Sequence, residues 1–275
     1  PAQASSEYQI SGDFEAADLV RLGYSIARYA EGRLGVTVSG AGRGFDVDNA
    51  EVEIDLRDAA VESPWQFWTK RAGVPATARF DVARQSDGAL AFTNLDGRGA
   101  GLIVQGHTRV ARDGTVLELD LPRLVLEGRS DARVTALRAG DGGLDVRVTG
   151  ALFDAAPFMG DDGEEAAPAA GAAHVTPPLR AHVQVAALKL RGGATLQNAR
   201  VEVLSQRGAL SMLTAEGRSP GNLAFSLALG VRPADPQGRL LFRGEDAGFA
   251  VRALTGSENV VGGTVSATGA FNNIG

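Results

Sequence analysis

Glu51, Glu53 and Asp55 are the first residues whose types could do chemistry, because a glycoside hydrolase needs two carboxylates facing each other across a sugar. Their spacing of two instead puts all three side by side on one face of an extended strand, the pattern of a solvated outer surface. Asp161, Asp162, Glu164 and Glu165 could attract calcium, but the ligand spacing of an EF-hand loop is missing, so they predict an acidic loop. Gly97-Arg98-Gly99-Ala100-Gly101 has the glycine density of a phosphate-binding loop. It lacks the following Lys-Ser/Thr and helix, and reads as strand and turn glycines. His107, His174 and His182 are the three imidazoles of the chain, and no spacing groups them as metal ligands. With no cysteine there is no thiolate zinc site, disulfide or thiol nucleophile. No G-x-S-x-G elbow occurs. The expectation is a chain that is not an enzyme and holds neither cofactor nor metal.

One aromatic cluster stands apart, Trp65-Gln66-Phe67-Trp68. Indoles favour half-wet sites, so it suits a membrane interface or a stacking platform; it equally suits a plug at the end of a β core, the reading adopted here. The 275 residues carry 27 Lys+Arg against 33 Asp+Glu, a net charge of -6 that argues against a nucleic-acid partner. No apolar run is long enough for a membrane-spanning helix. The chain opens at Pro1 without an initiator Met or signal peptide and stops at Gly275 just after a strand-like run, and is expected to be a segment of something longer.

The elements that must position these residues are strands. Apolar and polar residues alternate with period two at Val52, Ile54 and Leu56, at Phe80 and Val82 with Phe92 beyond, at Leu117 and Leu119, and at Leu144, Val146 and Val148. The habit continues with Val183 and Val185, Val201 and Val203, and Phe225, Leu227 and Leu229. Roughly 15 strands are expected on this basis. Turn signals separate them at hairpin spacing: Asp87-Gly88, Asp113-Gly114, Asp141-Gly142-Gly143, Gly192-Gly193, Arg207-Gly208, Ser219-Pro220-Gly221 and Gln237-Gly238. Two short helices are expected over Asp13–Leu22 and Glu245–Leu254, each followed by a glycine. A charged, then Ala/Pro-rich stretch divides the chain into three parts: a β section over 1–153, a connector over 154–178 and a second β section over 179–275.

The fold class is therefore all-β, a long antiparallel meander with two short helices. Its apolar face has two possible fates. A closed sandwich would seal it against a second sheet, whereas one curved sheet would leave a continuous oily trough, and periodicity does not choose between them. An acyl chain is a natural occupant of a trough. Burying each CH₂ contributes about 0.8 kcal/mol, so a ~16-carbon chain would gain on the order of 13 kcal/mol.

Longer phrases favour the trough. Gly12-Asp13-Phe14-Glu15-Ala16-Ala17-Asp18-Leu19-Val20-Arg21-Leu22-Gly23, Tyr29-Ala30-Glu31-Gly32 and Val36-Thr37-Val38-Ser39-Gly40 resemble the opening of a domain in large AsmA-like proteins. Ala50-Glu51-Val52-Glu53-Ile54-Asp55-Leu56, then Trp68-Thr69-Lys70 and Gly73-Val74-Pro75-Ala76, are similar to the DUF3971 region of YhdP-type proteins. Phe67 and Arg71 stand where that family often has Gly and Pro. Gly244-Glu245-Asp246-Ala247-Gly248, Arg252-Ala253-Leu254 and Asn259-Val260-Val261-Gly262-Gly263 resemble the AsmA-like C-terminal portion. The resemblance, which extends to the related TamB proteins, implies an open hydrophobic β-groove (a β-taco) that shields phospholipid acyl chains. It also implies a periplasmic protein of the Gram-negative envelope, held in the inner membrane by a region outside this segment, with possible envelope protein partners at its ends. The eighteen apolar positions named in the alternation above are then the expected lining of the groove. The runner-up is a structural or partner-binding β protein with no ligand.

Overall fold

The computed structural model describes residues 6–21, 29–43, 46–63, 67–159, 177–206, 209–232 and 235–272. Its contacts divide the chain into two compact units, Pro1–Gly128 and Arg129–Gly275. Both are built from an open, curved, predominantly antiparallel sheet, and the described residues contain two α-helices, so the all-β class holds. Neither helix is long and apolar enough to cross a membrane.

In the first unit, β1 (Ser6–Glu15), β2 (Ala30–Arg43), β3 (Asp46–Asp55), β6 (Ala76–Arg84), β7 (Leu90–Gly99), β8 (Leu102–Val110) and β9 (Val116–Leu126) pair in that order, each antiparallel to the next. Helix α1 (Ala16–Arg21) follows β1 directly. The helix expected from Asp13 thus starts three residues late. Asp13, Phe14 and Glu15 are instead the last rungs of β1, opposite Gly35, Leu34 and Arg33, where the alternation of Phe14 with its acidic neighbours suits a strand better than a helix turn. A flap of two short strands, β4 (Ala59–Glu62) and β5 (Thr69–Lys70), is inserted between β3 and β6 and pairs through β4 with the start of β2.

In the second unit the order is β10 (Ser130–Arg138), β11 (Leu144–Asp154), β12 (Leu179–Lys189), β13 (Thr195–Gln206), β14 (Ala209–Arg218), β15 (Ala224–Arg232), β16 (Asp235–Gly244) and β17 (Val265–Asn272). Helix α2 (Ala247–Thr255) lies in the chain between β16 and β17. Asp246 caps it by accepting from Phe249 N at 2.9 Å, and Gly256 closes it in the left-handed conformation. One pairing departs from the meander: β11 and β12 run parallel, from Leu144 opposite Leu179 to Asp154 opposite Lys189. A parallel neighbour needs a crossover of a dozen residues or more, and the stretch read as a connector supplies it. That stretch therefore lies within the second unit, and its residues 160–176, with Asp161, Asp162, Glu164, Glu165 and His174, are outside the described residues.

Five hairpins share one turn. At Gln85–Ala89, Ala111–Thr115, Ala139–Gly143, Leu190–Ala194 and Ser219–Leu223 the first N–H donates to the fifth carbonyl at 2.8–2.9 Å. In the first three an Asp accepts the N–H two residues on, and the following Gly has positive φ. The last turn differs from expectation, since Asn222 and not Gly221 takes the left-handed conformation, with φ 63°. The Arg207-Gly208 turn lies outside the described residues, and Gln237-Gly238, expected as a turn, lies inside β16 opposite Asn272 and Phe271.

Candidate functional site: an apolar face in each unit

The registers line the alternating apolar residues into rows that run across the strands. In the second unit one row is Ala136, Val146, Ala181, Val203, Leu213, Leu229 and Leu240, each opposite the next. A second, parallel row is Val134, Val148, Val183, Val201, Ala215, Leu227, Phe242 and Ala267. Eight strands at ~4.8 Å spacing make that row about 34 Å long. In the first unit one row is Tyr8, Gly40, Ala50, Val82, Phe92, Thr108 and Leu119, and another is Gly12, Val36, Ile54, Ala78, Gly97, Val104 and Leu124. Tyr8 and Thr108 carry the hydroxyls of these two rows; Thr108 donates to Glu118 O at 2.8 Å, and the Tyr8 hydroxyl is buried with no hydrogen-bond partner among the described residues.

Of the residues expected to line a groove, Val148, Val185 and Phe225 are buried at 4%, 3% and 4% exposure. Val52, Ile54, Leu56, Phe80, Val82, Phe92, Leu117, Leu119, Leu144, Val146, Val183, Val201, Val203, Leu227 and Leu229 are all half-buried. The alternate positions Glu51, Glu53, Asp55, Asp145, Arg147, His182, Gln184 and Glu202 are exposed. At these positions the two faces are sorted as the alternation predicts, while Asp81, Glu118 and Asp120 are half-buried like their apolar neighbours.

Shielding is not uniform along the strands. The β-core reaches full burial at one end, where α2 lies on the apolar face. Leu196, Ala199, Ala250 and Ala253 are at 0% exposure there, and Leu188, Phe225 and Phe249 follow closely. Phe225 meets Phe242 and Phe249 edge-to-face at 5.7 and 5.9 Å. Gly217 and Gly244 flank Phe225 on the neighbouring strands, and the missing side chains leave room for Leu196 and for the Ala250 methyl. In the first unit the corresponding work falls to the flap. Trp68 packs with Ala76, Leu126, Phe67 and Leu102, and its indole N–H donates to Ala100 O at 3.3 Å. The plug reading of the aromatic cluster holds for Phe67 and Trp68, while Trp65 and Gln66 are outside the described residues. Beside it Lys70 is buried, its ammonium donating to Ala59 O at 2.6 Å, Arg71 O at 3.0 Å and Arg57 O at 3.4 Å. Burial pushes its pKa below the usual lysine value.

Two asparagines that sequence reading passed over shape the sheets. Asn94 (φ 52°) and Asn198 (φ 50°) sit in β-bulges of β7 and β13. Each adds a residue to its strand without reversing the apolar face, so Phe92 and Leu95, or Leu196 and Ala199, point the same way despite a spacing of three. Strict period two is lost there, which is why alternation did not mark them. Leu213, Leu240 and Phe242 were missed for a related reason: each has an apolar chain neighbour, Met212 or Leu241, on the opposite face.

The other candidates stay apart. Glu51 and Glu53 both ion-pair with exposed Arg79, at 3.3 and 3.0 Å. His107 and His182 lie 3.8 and 3.7 Å from Glu118 and Glu202 in separate units. Among the described residues no three His, Asp or Glu side chains group to hold a metal. Ala100 and Gly101 are the two-residue turn between β7 and β8, both at positive φ, and Arg98 grips Asp96 through a two-pronged pair at 2.7 and 2.8 Å. That guanidinium holds the Asp96 carboxyl below its usual range. No protein-family model, curated protein or solved structure matches this chain.

Proposed function

We propose that this chain is a non-enzymatic section of a lipid-conducting protein, in which the apolar face of each sheet shields phospholipid acyl chains. The observation that carries the reading is the set of uncharged rows, up to eight strands long, most of whose members are half-buried, with no second sheet over their central part among the described residues. A surface of that extent in water needs a partner. A partner for a face with no charge is itself uncharged and flexible, as a hydrocarbon tail is. Moving a tail from a bilayer to such a face exchanges one apolar medium for another, so the transfer costs little. The AsmA-like phrases of the sequence support a setting in a cell envelope, between an inner and an outer membrane, with other envelope proteins as partners.

The test is a photoactivatable phospholipid carrying a diazirine on its acyl chain. The purified chain crosslinks to it, and Leu119→Asp combined with Leu227→Asp, one charge in each unit, abolishes the product. Unchanged crosslinking in a folded double variant refutes the reading. Native mass spectrometry adds an independent measurement: a chain that never carries lipid favours the ligand-free, partner-binding alternative.

A further inference from the structure

In the second unit, exposure falls along β13 and β15 toward α2. On β13, Val203 and Val201 are half-buried while Ala199 and Leu196 are at 0%. On β15, Leu229 and Leu227 are half-buried and Phe225 is at 4%. The cover is α2 itself, through Phe249, Ala250 and Ala253. Its seat is shaped for it on two sides. A Cβ on Gly244 would stand 3.2 Å from the Ala250 methyl, and one on Gly192 would stand 2.8 Å from Arg252 Cγ. Both helix ends are capped and the segment that returns from it is tied back, with Ala247 N donating to Gly263 O at 2.8 Å. A helix held in this way is a fixed wall.

We infer that α2 sets one side of the lipid path, with Phe249 as the residue that positions it, so that acyl chains lie only on the half of the sheet carrying Val146, Val183, Val203, Leu213 and Leu229. This rests on the lipid-groove reading and adds to it a boundary: the positions at Leu188, Leu196 and Phe225 belong to the protein's own core and take no ligand. The boundary runs along the groove, so it limits width, and it holds the chain against aliphatic side chains and away from the phenyl cluster.

The experiment maps adducts on the unmodified chain by peptide mass spectrometry after photolysis with diazirine-acyl phosphatidylethanolamine in vesicles. Adducts are expected at Val201–Ser205, Leu213–Ala215 and Leu227–Gly230 and absent from Leu188–Leu196, Phe225 and Phe249–Ala253. Adducts at the latter set overturn the wall while leaving the groove reading intact; no adducts on any strand of the sheet overturn both. Phe249→Ala, checked for folding by circular dichroism, is expected to extend labelling to Phe225. A folded variant whose adducts stay confined overturns the role of Phe249, and if the variant does not fold the map of the unmodified chain decides alone.

Discussion

Truncating one leucine at each end of the same face measures directly whether its central part is covered. Leu196 has 0% exposure, lies opposite Leu188, and sits so close to the next strand that a Cβ on Gly217 would approach its Cγ to 2.6 Å. Leu196→Ala therefore removes three carbons from a site whose walls are helix and sheet and which cannot collapse, and is expected to cost about 3–5 kcal/mol. Leu229, on the same face, is half-buried between Leu213 and Leu240. At about 0.8 kcal/mol per fully buried CH₂, losing three carbons of which roughly half the surface was already exposed costs about 1.2 kcal/mol, with no enclosed cavity to add. In urea, with a slope of about 3 kcal/mol per M, the midpoint should fall by about 1–1.7 M for Leu196→Ala and by about 0.4 M for Leu229→Ala, with the slope unchanged in both. Equal losses would show that a second layer seals the central rows, and the groove would be a closed core.

Other positions give sharper local tests. Asn198 is exposed and held at φ 50°, so Asn198→Val should cost about 1–2 kcal/mol while Asn198→Gly should leave the urea midpoint nearly unchanged; equal effects would mean that the bulge is not what the residue serves. Lys70→Met leaves the carbonyls of Ala59 and Arg71 without their donor, and a loss of about 1–3 kcal/mol is expected by the same assay, accompanied by a change in Trp68 fluorescence. Asp141 accepts from the Gly143 N–H and from Arg180, which hold its carboxyl below the ordinary 3.8. A folded pKa below the unfolded one contributes stability above that value and loses it as the pH falls through the folded pKa. Acid unfolding below pH 3.8 should therefore be less steep in Asp141→Asn than in the parent chain. Parallel acid limbs would show that the pair does not couple to folding.

Period-two alternation determined most of what this chain is. Val52, Ile54 and Leu56 against Glu51, Glu53 and Asp55 fix which side of β3 is dry, because successive side chains on a strand point to opposite faces and only one partition keeps the carboxylates in water. The Asp-Gly turns were equally legible, since a hairpin needs positive φ at a known place and glycine supplies it. Gly256 marked the end of α2 for the same local reason, whereas the start expected at Glu245 falls two residues later, after the Asp246 cap. None of these features needs a distant residue.

Four things were decided only by the tertiary structure. Register made rows out of separate strands, joining Val203 to Leu213 and Leu229, and register depends on partners that one segment's sequence does not name. The parallel pairing of β11 with β12 follows from where the crossover returns the chain, which alternation cannot encode because it reads the same in either direction. The bulges at Asn94 and Asn198 shift the phase of a strand, and phase is what the alternation argument assumes to be constant. Finally, α2 and the Trp68 flap settle which end of each face is core. Leu196 and Leu229 are the same residue type on the same side of the same sheet, and only what lies above them makes one interior and leaves the other half-buried.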